Sequence, residues 1–384
     1  AADLCVVNTC TVTAEGDSKS RQIIRRLNRE NPNARIIVMG CYATRDPDQV
    51  AQLPGVTEVV TDKRELPDLM GRFGVIDIPT GISGLSNRHR AYVKVQDGCL
   101  LNCTYCIIPQ VRPHMSSRDP LEIEQEVRQL VDNGFHEIVL TGIHLGHYGV
   151  DFNRGKPKRE WIRLSHLVDR ICRMPGKFRL RLSSIEATEV TRELIRAMQT
   201  HADRVCPHLH VCLQSGSDRI LRRMRRRWSR KHIIDRCQLI RDELDQPAFS
   251  TDVIVGFPGE QELDFQSTVD ACRQIGFSKN HLFPFSARRG TAAAEMPDQI
   301  PKRIKAERGQ QIRQLESELR QSFYRSLTGR RLEVLVEKFD LADQTVSGTT
   351  CRFAPATIEF QSGASVDELE GQLVEMQVDR VTDQ

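Results

Sequence analysis

VKVQDGCLLNCTYCIIPQVRPHMSSR, running from Val93 to Arg118, decides how the rest of the chain is read. An apolar strand pattern leads into Cys99, Cys103 and Cys106, spaced C-x3-C-x2-C. One loop with that spacing can wrap three thiolates around one face of an iron–sulfur cube and leave the fourth iron without a protein ligand. That open iron is where chemistry can happen. Zinc sites share such short spacings but need a further ligand pair to close a tetrahedron. Three thiols with a Tyr beside the third match a cluster loop better than a finger; a structural zinc and three unrelated thiols are the alternatives.

Outward from this loop, 384 residues with 39% apolar and 28% charged content describe a globular chain of two or three domains. No run reaches the roughly 20 apolar residues that span a bilayer, and AADLCVVNTC carries no basic segment followed by a cleavage site, so a cytoplasmic protein is expected. Twelve cysteines clustered in short motifs favour metal ligation in a reducing compartment over a disulfide scaffold. The excess of 55 basic over 51 acidic residues is too small to argue for nucleic acid.

Ahead of the loop, Leu4–Val7 and Ala34–Met39 are buried-strand patterns with a helical stretch at Ser18–Glu30 between them, and a third strand candidate, Val56–Thr61, precedes a short helix at Arg64–Phe73. Alternation of this kind predicts a parallel sheet, with Cys10 and Cys41 beyond the carboxyl ends of its strands, where ligands collect. Cys5 falls inside the first strand and is expected to pack in the sheet. After the loop, six strand candidates (Tyr92–Val95, Glu137–Thr141, Phe178–Ser183, Leu209–Leu213, Ser250–Val255, His281–Phe285) alternate with helices. An incomplete (β/α)6 barrel follows, active at the C-terminal rim. A charged helix, Lys302–Thr328, leads to four short alternating strands that predict a small antiparallel β-barrel. The fold class is therefore α/β, divided into residues 1–75, a linker at 76–90, a barrel at 91–328 and the small barrel at 329–384.

NTCTVT (8–13), MGCYA (39–43), DGCLLNCTYCIIP (97–109), LTGIHLGHYG (140–149), LSSIE (182–186), LQSGSDRIL (213–221), DVIVGFPGE (252–260) and FPFSARRGT (283–291) together resemble the methylthiotransferase family of radical S-adenosylmethionine (SAM) enzymes over nearly the whole chain. Within it the resemblance is to the MtaB type, which acts on N6-threonylcarbamoyladenosine of tRNA; branches acting on isopentenyladenosine or on a ribosomal protein share the core motifs. The resemblance implies SAM bound at the Cys99/Cys103/Cys106 cluster, a second [4Fe-4S] cluster on Cys10 and Cys41, and a TRAM-like RNA-binding terminal barrel. The family's third N-terminal cysteine has no counterpart, which reads as a truncated start. It also implies a tRNA anticodon stem-loop as substrate, an electron donor such as flavodoxin or ferredoxin, no membrane, and a monomer. One electron would cleave SAM, the resulting radical would take hydrogen from adenine C2, and a second SAM would supply the methyl group. A zinc-stabilised RNA-binding protein is the reading from a different class.

SAM also needs neutral contacts along its ribose and amino acid parts. Thr141, Gly142, Ser183, Ser184, Gln214 and Asp252, at successive strand ends, are the candidates, although each alone also suits a cap or turn. His208, His210 and Cys212 alternate along one strand and could face a metal, but a strand in the barrel wall makes hydrogen-bonded histidine the ordinary reading. Cys172, Cys237 and Cys272 fall at core positions. From Arg219 to Lys231, RILRRMRRRWSRK places eight basic residues in thirteen positions around Trp228; these, with Arg112, Arg118, Arg288 and Arg289, are candidates for RNA phosphate contact, a solvated helix face being the alternative.

Overall fold

A computed structural model describes residues 2–74, 89–340, 344–359 and 369–382. The predicted linker, 76–90, lies outside the described residues as far as residue 88. Two compact units make up the chain: Ala1–Thr80 with Gly98–Met115 and Ser286–Met296, and Gly81–Asp97 with Ser116–Phe285 and Pro297–Gln384.

In the first unit, β1 (Leu4–Thr9), β2 (Arg35–Gly40) and β3 (Val56–Val60) form a parallel sheet in that order. Ile36, Ile37 and Val38 are fully buried because both faces of the sheet are covered. On one face lie Ile24 of helix Ala14–Glu30, Tyr42 and Val50, with Cys5 packed beside them; on the other lies Leu69 of helix Leu66–Arg72. The first helix starts four residues before the predicted Ser18. Its N-cap, Thr13, accepts the Gly16 N–H at 3.1 Å, a cap that an apolar-stripe reading does not see.

In the second unit, β4 (Arg90–Asp97) carries the short antiparallel β5 (Ser116–Ser117) on one side and runs parallel to β6 (Glu137–Gly142), which pairs with β7 (Arg179–Leu182). β8 (His208–His210), β9 (Ala248–Val255) and β10 (Lys279–Pro284) form the second parallel set. Bridges Leu180↔Val205 and Ile185↔Val211 continue the parallel pairing from β7 toward β8, giving the six parallel strands of the predicted half-barrel. Cys172, Cys237 and Cys272 lie in its core, where burial pushes their thiols up to about 12.

Helix Lys302–Ser326 precedes β11 (Arg331–Asp340), β12 (Thr345–Thr350), β13 (Pro355–Glu359) and β14 (Leu373–Gln377), antiparallel in the order β13-β12-β11-β14. A register shift between Val336 and Lys338 curls this sheet. One buried carboxylate ties it to the half-barrel. Glu137, fully buried, accepts from Arg179 Nε at 2.6 Å and Arg181 Nε at 2.8 Å and pairs with Arg90 at 2.9 Å. The same guanidiniums then donate to the carbonyls of Glu333, Thr349, Thr350 and Cys351 at 2.8–3.1 Å. Arg90 and Arg181 also lie over the Phe353 ring, at 5.6 and 5.0 Å.

Burial alone would raise the Glu137 carboxyl, but Arg181, Arg179 and Arg90 outweigh it and hold the group well below its ordinary 4.5. Its contribution to stability is therefore present above that ordinary value and lost as pH falls through and below it. Glu137→Gln removes the buried charge that the three guanidiniums share, leaving among the described residues only Glu337 beside Arg90 and Glu333 beside Arg179, and is expected to cost about 3–5 kcal/mol near pH 7. Denaturant midpoints of the two proteins should converge as pH is lowered below about 4, the ordinary carboxylate range.

Candidate functional site

Parallel register sets Thr9 opposite Gly40, so Cys10 and Cys41 are the next residues along adjacent strands. Gly40 makes that junction possible. Its φ is +98°, and a Cβ there would lie 2.4 Å from Thr9 O and 2.5 Å from Asn8 Oδ1. Thr9 locks the two strand ends: its hydroxyl donates to Met39 O at 2.7 Å and accepts the Ala43 N–H at 3.2 Å. Cys10 is exposed and Cys41 half-buried.

Within the same unit, the loop carrying Cys99, Cys103 and Cys106 folds on itself. Gly98 has φ +74°, and a Cβ there would meet His114 O at 2.2 Å, so only glycine lets the loop's start approach its end. Leu101 N–H points at Cys99 Sγ (3.4 Å) and Cys106 N–H bonds to Cys103 O (3.0 Å). The turn Ile108–Val111 packs on helix Cys41–Arg45, and Arg112 Nε donates to Cys41 Sγ at 3.5 Å. None of the twelve cysteines is in a disulfide.

Of the half-barrel's candidate SAM contacts, Thr141, Gly142, Ser183 and Ser184 sit at strand ends in the second unit and Gln214 lies beyond β8, whereas Asp252 lies inside β9. Thr141 and Gly142 close β6; Gly142 sits so close to β4 that a Cβ would be 3.0 Å from Gln96 Oε1. The Ser183 hydroxyl is buried without a partner, and Ser184 is exposed. Gln214, 8% exposed, is held at φ +62°, its N–H on Asp252 O (2.8 Å) and its carbonyl accepting from Ile254 (2.9 Å). A non-glycine residue there is strained, a feature that collects at ligand sites.

The fold brings further polar groups to these strand ends that pattern reading left unassigned within LTGIHLGHYG and LSSIE. His144 and His147 stack with centroids 3.6 Å apart and face Glu189 at 3.5 and 3.6 Å. A Cβ on Gly146 would lie 2.3 Å from Glu189 Cβ, so the glycine between the histidines admits the carboxylate. Burial pushes Glu186 up to about 7 against the pull of its ion-pair partner Arg226. His208 and His210 both bond Ser250 Oγ, at 3.0 and 3.1 Å, which is the ordinary reading of wall histidines. His210, Cys212 and Asp252 converge within 4.8 Å, but burial pushes the Cys212 thiol well above its usual value and keeps it protonated.

Residues 93–272 match the family described as the radical SAM superfamily, and residues 1–62 match the uncharacterized protein family UPF0004. Over 354 residues the chain is 39% identical to the threonylcarbamoyladenosine tRNA methylthiotransferase MtaB of Bacillus subtilis, covering 88% of this chain and 77% of that protein. The chain belongs to the methylthiotransferase family of radical SAM enzymes. The MtaB of Chlamydia pneumoniae is 36% identical across the whole chain and 88% of its own length. Among solved structures, the radical SAM methyltransferase TsrM of Kitasatospora setae shares the fold, with TM-score 0.57 and 13% identity over 77% of this chain and 66% of that one.

The cofactors of this family are [4Fe-4S] clusters and SAM, and the donor chemistry fits both. Three thiols on one turn, with a backbone N–H aimed at one of them, suit a cluster whose sulfurs accept hydrogen bonds. The orphaned Ser183 hydroxyl and the neutral strand-end groups suit an uncharged ribose. Once bound, the pair supplies one-electron chemistry for a C–H bond that no general base can open.

Several basic residues expected at phosphate are engaged elsewhere. Arg288 is buried against Thr11 and Asp17, Arg118 pairs with Glu126, and Arg289 pairs with Asp46. In the 219–231 run, Arg219 pairs with Asp264, Arg226 stacks 4.0 Å over the buried Trp228, and Lys231 pairs with Asp235; Arg222, Arg225 and Arg227 are exposed. Trp228 is buried in the half-barrel core, and Arg226 beside its ring pairs with Glu186.

Gly40→Ala should strain the junction that carries Cys10 and Cys41, with an expected loss of about 1–3 kcal/mol. Calorimetry should show a lowered Tm, and iron per chain after anaerobic reconstitution should fall in the same variant.

Proposed function

We propose that this enzyme adds a methylthio group to C2 of N6-threonylcarbamoyladenosine at position 37, beside the anticodon of tRNA. Cys99, Cys103 and Cys106 hold the cluster that binds SAM, Cys10 and Cys41 take part in holding the second cluster, and Thr141, Gly142, Ser183, Ser184, Gln214 and Asp252 contact SAM. Residues 1–75 form the methylthiotransferase domain, 91–328 the radical SAM half-barrel and 329–384 a TRAM-like RNA-binding unit. Support comes from one conjunction: two cysteine-bearing loops built into one compact unit of a chain whose relatives carry this substrate in their names along most of their length.

The substrate explains the chemistry. Adenine C2 carries an unreactive C–H bond, and the residues named above have to bind and orient rather than act as acid or base. An anticodon loop suits them, since its bases can be splayed out and inserted where a paired base cannot reach. Exposed Arg222, Arg225 and Arg227, the last within 3.5 Å of His147 Nε2, are candidates for its phosphates. Electrons come from a flavodoxin or ferredoxin, and the enzyme works as a cytoplasmic monomer; among the described residues no helix is long and apolar enough to cross a membrane.

Nucleoside mass spectrometry of tRNA from a deletion strain is expected to lose the 2-methylthio form of threonylcarbamoyladenosine and regain it on complementation. A Cys103→Ala chain should not restore it, and that protein should form no 5′-deoxyadenosine from SAM and reductant. Loss of a methylthio-dimethylallyladenosine instead, or unchanged methylthio-adenosines, would reject this substrate.

A further inference from the structure

Arg288 and Arg289 of FPFSARRGT are engaged away from phosphate, and the packing within the first unit gives this segment another task. Ser286–Met296 lies in that unit with both cysteine loops, although Arg288 is 277 residues along the chain from Thr11. Arg288, 5% exposed, donates through Nη2 to Thr11 O at 2.8 Å, Thr11 Oγ1 at 2.7 Å and Asp17 Oδ2 at 2.8 Å. Thr11 in turn donates to Asp17 Oδ1 at 2.7 Å and accepts from Arg45 at 2.8 Å. Cys10 therefore sits between two fixed threonines. Thr9 is locked to β2 and to the helix after it, and Thr11 to Arg288 and Asp17, while the cysteine between them is exposed.

The same short segment holds the other loop a few residues later. Gly290 O accepts from the Gln110 side chain, and Ala293 N–H donates to Thr104 O, between Cys103 and Cys106, at 2.8 Å. Thr291 closes a turn on Arg288 O through its hydroxyl at 2.7 Å and its N–H at 3.0 Å, so the two grips are parts of one rigid piece. Gly290, at φ +88°, lets the chain turn between them, with a Cβ there only 3.0 Å from Gln110 Oε1.

We infer that Ser286–Met296 is a strap that sets the spacing of the Cys10 loop against the Cys99–Cys106 loop, with Arg288 and Gln110 as its positioning residues. Transfer of sulfur to a carbon activated elsewhere demands that the two centres stay in register, and a misplacement of about 1 Å can cost about a hundredfold in rate. Neither loop is long enough in regular structure to hold that register alone. The strap grips both. The inference rests on the proposed ligand role of Cys10.

Arg288→Lys, Arg288→Ala and Gln110→Ala would be compared in the full chain, with Cys10→Ala as control. In metal-free protein, alkylation of Cys10 followed by peptide mass spectrometry should change several-fold in both Arg288 variants, with Cys103 unmoved, and added guanidine should return the Arg288→Ala rate toward the parent value. In reconstituted protein, Gln110→Ala should keep its Tm and iron content while consuming about tenfold or more SAM to 5′-deoxyadenosine per methylthio group formed, the uncoupling a small misplacement dictates. Iron unchanged in Cys10→Ala would overturn the ligand reading. Iron lost in Cys10→Ala, with parental alkylation rates in the Arg288 variants or parental coupling in Gln110→Ala, would overturn the strap. Should Arg288→Ala fail to fold, the Lys and Gln110 variants decide.

Discussion

One register governs this molecule: Thr9 of β1 against Gly40 of β2. Both faces of this parallel sheet are covered, so side chains of neighbouring strands reach open space together beyond the strand ends, and here the first residues past those ends are both cysteines. Glycine at the second end is required sterically, since any side chain would strike the carbonyl of Thr9. A slip of one residue would send one cysteine to the opposite face of the sheet. Whatever Cys10 and Cys41 do together follows from that pairing.

In each of its two units the protein spends buried charge on backbone placement. Arg288 and Asp17 fix Thr11, while Arg179 and Arg181 carry the Glu137 charge outward to carbonyls of β11, the end of β12 and Cys351 just after it. The two clusters of charge work alike. A guanidinium, with five donors in a fixed planar fork, can satisfy a carboxylate and carbonyls of a second chain segment at once, where a lysine has three donors and no fixed fork. The result is long-range connection between segments that share little apolar surface.

Local patterns were well expressed in the sequence. Strand positions came from apolar runs, since both faces of each parallel sheet are covered, and all six barrel strands fall within a few residues of their expected places. The C-x3-C-x2-C loop is local by nature: its ligands need no distant partner to be recognised. Boundaries failed where a side chain rather than an apolar stripe defines the element, as at the Thr13 cap.

What the sequence determined by itself is the order of strands and helices, the three-cysteine turn and the family it signals, because each is written within a span of a few residues whose period or spacing is set by backbone geometry. What only the tertiary structure decided is the partner of each charge. Arg226 and Arg288 look like their exposed neighbours in a basic run, and Glu137 looks like any strand-starting carboxylate. Burial of a charge depends on which distant group can neutralise it, and that choice is made by the folded chain alone.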